Sequence, residues 1–233
     1  MSDQTCTITT GNSSMSKVFS KSATDGQWSG NVLTDTISGQ SIGILIPNTM
    51  LNFAQPEYAA GCMAYRLQNA QSLRVSARGF GVKAGQNCKT TSRIKPVRVS
   101  PNDILTVFPF PLNAAANTSN VLAWVETTKG TELMTASAAD NTATALVTAV
   151  NSQSLGDAFF NSTLTCIKMQ IEDGAQLDSV QVIDEMGGVV MTLQGGFRGA
   201  STSSRSNVYN LYAEGLGINI GKGWSLKAIT VAA

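Results

Sequence analysis

Side chains able to move a proton or attack a carbonyl are scarce in this chain, because it contains no histidine. That removes Ser-His-Asp and Cys-His machinery, histidine metal sites and the commonest general base. Acid–base work would fall to carboxylates, and two adjacent pairs stand out, Glu172-Asp173 and Asp184-Glu185. Glycoside hydrolysis needs two carboxyls roughly 5 to 9.5 Å apart across the sugar. Each pair adjoins a glycine turn, Asp173-Gly174 or Gly187-Gly188, where acids ordinarily face solvent. Turn chemistry is the preferred reading, and no enzyme activity is expected.

Phosphate and metal motifs fail on inspection. Gly215 to Gly223 glances at a phosphate loop, but Leu216 stands where the first glycine belongs and Gly223 where Ser or Thr should be. Gly195-Gly196-Phe197-Arg198-Gly199 lacks the strand-turn-helix frame of a dinucleotide site, and no Asp/Asn ladder forms a calcium loop. Cys6, Cys62, Cys88 and Cys166 are too far apart for a zinc site or a disulfide framework, so buried free thiols are expected and no cofactor. Trp28, Trp124 and Trp224 could each stack on a sugar, although burial is the commoner fate of tryptophan.

The strongest signal is charge. From Tyr58 to Asn102 the chain carries eight of its 16 Lys and Arg residues and no Asp or Glu. From Glu126 to Glu185 nine acids face two bases, Lys129 and Lys168. Net charge is only +1, and charged residues make up 13% of the chain, against about 25% in ordinary soluble proteins. Such a weakly charged, hydroxyl- and amide-rich surface suits life in an assembly. Arg66, Arg74, Arg78, Lys89, Arg93 and Arg98 are the candidate interface, a positive face for an acidic partner. Aromatics scarcely interleave with these charges, which argues against nucleic acid as the partner.

The elements that would position these residues read as strands. Leu73 to Arg78 and Ile94 to Val99 alternate apolar with basic residues, which in a strand sends Leu73, Val75 and Ala77 to one face and Arg74, Ser76 and Arg78 to the other. Residues 1–40, rich in Ser, Thr, Gly and Asn, read as an extended N-terminal arm, and residues 41–233 as a single β-sandwich domain. Ser41 to Pro47 reads as a buried strand, and Pro109 and Pro111 as the stop of another. One helix is expected from Asp140 to Asn151, where Ala143, Leu146, Val147 and Val150 recur at i, i+3, i+4 and i+7. Hairpins are expected at Lys129-Gly130 and Gly187-Gly188. The sum is an all-β chain, a jelly-roll-like sandwich or barrel with one short helix. No run approaches a membrane span, and the first residues lack the basic and apolar regions of a signal peptide, so a cytoplasmic site of synthesis is expected.

The polar N-terminal arm, absent histidine, low charge, many strands and the ending Gly-Trp-Ser-Leu-Lys-Ala-Ile-Thr-Val together resemble the virion structural proteins of tailed bacteriophages, in particular head decoration or cement proteins. The resemblance implies a virion location after assembly in the host cytoplasm. It also implies a symmetric homo-oligomer, a trimer, clamped on an acidic capsid surface with the major capsid protein as partner. A jelly-roll capsid subunit, a tail tube subunit and a carbohydrate-binding module stay open beside it.

Overall fold

A computed structural model describes residues 2–10, 16–23, 30–58, 61–83, 97–111, 117–172, 175–198 and 211–231. The described residues are mostly strand, as expected, and the chain divides into two compact units, Met1–Pro111 and Leu112–Ala233. No helix among the described residues is long and apolar enough to cross a membrane.

The first unit contains β1 (Ser2–Thr10), β2 (Ser16–Ala23), β3 (Asn31–Asp35), α1 (Ile42–Leu45), β4 (Met50–Tyr58), β5 (Gly61–Asn69), β6 (Val75–Lys83), β7 (Val97–Arg98) and β8 (Asp103–Pro111). Its strands pair in the order β1-β2-β3-β8-β5-β6-β4, and β4 pairs back to β1, so seven strands form a closed ring, with β7 added beside β4. All ring pairings are antiparallel except β4 with β6. Closure matters because it leaves no strand of the ring without two neighbours.

Four expectations are corrected here. The presumed arm supplies β1, β2 and β3 of the ring, and the expected single domain from residue 41 onward gives way to a division after Pro111. Runs such as Cys6-Thr7-Ile8-Thr9-Thr10 lack a sustained apolar face, but their β-branched residues suit a strand with a ladder on each side. The apolar run Ser41 to Pro47 is not a strand: it forms the single turn α1, with Ile42 fully buried beside Leu33 and Leu105 and Ile44 exposed. A short apolar run does not by itself distinguish a strand from a buried helical turn. Nor do the prolines stop β8, which pairs with β5 as far as Gly61↔Pro111. Its other neighbour, β3, pairs only over Leu105 to Val107, so among the described residues Pro109 and Pro111 have no partner strand on that side of β8, the kind of place a sheet accepts proline.

The second unit contains β9 (Thr118–Thr127), β10 (Gly130–Ala139), β11 (Thr144–Thr148), α2 (Leu155–Phe159), β12 (Thr163–Ile171), β13 (Gln176–Ile183), β14 (Val189–Arg198), β15 (Leu211–Asn219) and β16 (Ser225–Val231). They form one sheet in the order β14-β13-β16-β11-β10-β9-β12-β15. Its core takes alternate residues, Val121, Ala123 and Val125 from β9, Val180 and Val182 from β13, Leu226 and Ala228 from β16, with Leu155 and Phe159 of α2 packed in. Both expected hairpins form, β9–β10 around Thr128-Lys129 and β13–β14 around the turn at Gly187.

The expected helix does not form. Residues 144–148 are β11, paired with β10 and β16, and of its supposed apolar face only Leu146 is buried, while Ala143 and Val150 are exposed. Thr144, Val147 and Thr148 are β-branched and lose side-chain freedom in a helix, and left-handed backbone at Asn141 and Ser152 bounds the segment. The short helix comes later, capped by Ser154, whose hydroxyl accepts the Asp157 N–H.

Candidate functional site

The basic set does not form one face. Arg66 on β5 and Arg78 on β6 stand directly opposite each other, on the side of the sheet away from Met63, Tyr65 and Leu67. Both are half-buried with their Nε atoms shielded from solvent, and the Arg66 guanidinium lies 5.2 Å from the centre of the buried Phe108 ring. That cation–π contact shares its face of the sheet with the buried Phe80 and Phe110 and belongs to a packed interior more than to an open docking surface. Arg74 is exposed in the turn between β5 and β6, and Arg98 is exposed on β7. The alternation expected from residue 73 starts two residues late: Leu73 has φ 58° and is 68% exposed, and β6 begins at Val75. Lys89 and Arg93 lie outside the described residues, as do Ile94, Lys95 and Pro96 of the segment Ile94 to Val99 read as a strand, of which Val97–Arg98 is seen in a ladder.

The carboxylate pairs part company. Glu172 is buried, accepting the Asn120 N–H at 2.7 Å, and Asp173 lies outside the described residues. Asp184 and Glu185 sit on the β13–β14 turn. Asp184 Oδ1 accepts the N–H groups of Met186 and Gly188 at 3.0 and 2.6 Å, which fastens the turn. Glu185 Oε2 accepts the indole N–H of Trp224 at 2.9 Å.

That bond follows from register. Ile183 at the end of β13 pairs with Ser225 at the start of β16, so the residues just beyond each, Asp184-Glu185 and Trp224, must be neighbours. Between the two turns lies a groove of about 670 Å³ lined by Asp184, Glu185, Gly221, Lys222, Gly223 and Trp224. Trp224 is half-buried, with its ring over Gly221 where a Cβ would collide with it, and it packs on the edge of the core. Of the other tryptophans, Trp124 is fully buried and offers no platform, and Trp28 lies outside the described residues.

The groove can stack a flat apolar face and exchange hydrogen bonds, with two carboxylates as acceptors and one ammonium as donor. No group of His, Cys, Asp and Glu among the described residues could hold a metal ion, and Cys166 is a buried free thiol. Every groove residue is one that the sequence offers separately, as a turn acid, as part of a failed phosphate loop or as a lone tryptophan. Only the pairing of β13 with β16 unites them. No protein-family model, no characterised protein and no solved structure matches the chain.

Proposed function

We propose that the chain is a non-enzymatic structural subunit of a virion, a homo-oligomer that binds and stabilises a phage head as a decoration or cement protein. The observation that carries the self-association is β14. It is the outermost strand of the second sheet, paired among the described residues only with β13. From Val189 to Gly195 its residues are half-buried or exposed along both faces, with Val189 54% and Val190 43% accessible and Met186, on the turn before it, 88%. An exposed strand edge is a template for pairing with another chain, and monomeric proteins blunt it with lysine, proline or a bulge that twists it away. Before Arg198 this strand has no charge and no proline; its register against β13 shifts at Val190 and at Gly195-Gly196, which leaves Met191 to Gln194 as the regular stretch of the edge. Edge and side chains together suit addition of a strand from a second copy or from a shell protein. The low overall charge and the resemblance to phage head proteins supply the rest of the reading.

Size-exclusion chromatography with light scattering, run alone and with capsids lacking the protein, tests it. The expected result is an oligomer, a trimer by mass, that co-migrates with the capsids. A monomer at all concentrations that leaves the capsids bare would overturn it.

A further inference from the structure

We propose that the groove between the 184–188 and 221–224 turns binds a neutral pyranose unit of an oligosaccharide, stacked on Trp224. Three contacts hold the indole in place before any ligand arrives: its N–H on Glu185, its ring over Gly221 and its packing against the core. A ring so fixed presents its remaining face without losing side-chain freedom on binding, which is where a platform gains affinity. The polar groups around it are half used. Asp184 Oδ1 is occupied by turn amides and Glu185 Oε2 by the indole, while Asp184 Oδ2 and Glu185 Oε1 are not engaged by any described residue. Two spare carboxylate oxygens beside an apolar ring match what a pyranose offers, a C–H face and a rim of hydroxyl donors. The Lys222 side chain, exposed at the other turn, can donate to a sugar oxygen. Two carboxylates against one ammonium disfavour an acidic sugar. The volume falls within the roughly 300 to 1,000 Å³ of small-molecule sites.

The site lies on turns and does not depend on the assembly reading, so a chain made monomeric by Val190→Lys should bind sugar equally well. The full-length protein is applied to an array of neutral and sialylated oligosaccharides, and then titrated with chitotetraose and cellotetraose while tryptophan fluorescence is followed. Binding to at least one neutral glycan is expected, weakened tenfold or more by Glu185→Ala and abolished by Trp224→Ala. Because Trp224→Ala also removes core contacts, Glu185→Gln serves as the milder variant: it should weaken binding several-fold with the melting temperature unchanged. Absence of binding to every neutral glycan, a preference for sialylated ones, or binding that survives both Glu185 variants overturns the proposal.

Discussion

Tyr65 and Gly79 are cross-strand partners on β5 and β6, and the tyrosine ring lies over the glycine so closely that a Cβ would come within 2.5 Å of its hydroxyl oxygen. Gly79→Ala therefore forces a fully buried ring to move, and such overpacking costs about 1 to 3 kcal/mol. The expected outcome is a lower midpoint in chemical denaturation with an unchanged slope. The arginines divide by exposure. Arg74→Glu with Arg98→Glu changes two exposed charges, each contributing only about 0 to 1 kcal/mol to any contact, so stability should hold while stopped-flow association slows and loses salt dependence. Unchanged association would remove the docking role of those two residues, and tight, salt-steep DNA binding by the wild type would replace it with nucleic-acid recognition. Arg78→Glu is different, because that side chain is half-buried opposite Arg66 and its loss should register in the melting temperature. At this scale Trp224, Asp184 and Glu185 were all visible as residues able to do chemistry. Their meeting was not, because the register of β13 against β16 is a property of strands whose paired residues lie 42 to 55 positions apart.

Strands with a local partner were the legible elements. The β9–β10 and β13–β14 hairpins announce themselves because the turn chemistry and both strands lie within one short window. The segment from Asp140 to Asn151 misled because four apolar residues at helical spacing coincide with a five-residue strand that has only two register pairs with its neighbour β10 and otherwise pairs with the distant β16. A core-size test separates the two readings. Leu146→Ala should cost about 2 to 5 kcal/mol, as a fully buried leucine does, whereas Val150→Ala should change urea stability little because Val150 is 55% exposed. A helix packed on Leu146, Val147 and Val150 would penalise all three truncations alike. For β14, Val190→Lys places a charge on the outermost strand, the device by which monomeric proteins protect an edge. Light scattering should then report a monomer whose thermal stability matches that of the dissociated wild type.

Over the whole molecule, the two units carry separate cores, Leu33, Met63 and Tyr65 anchoring one and Ala123, Ile167 and Val182 the other. Calorimetry should resolve two transitions, with Gly79→Ala lowering one and Leu146→Ala the other. One transition shifted equally by both variants would show a single cooperative unit. The closed ring also dictates a timetable. β3 is made early, yet its second neighbour is β8, which is not synthesised until α1 and β4 to β7 have followed. β5 waits for the same strand. Loop closure over so much chain delays the pairing of β3 on its second side, so the ring closes only once β8 emerges. A nascent chain halted before Asp103 holds two strands with vacant sides, the species that chaperones recognise, and β8 is the strand that turns it into a finished barrel.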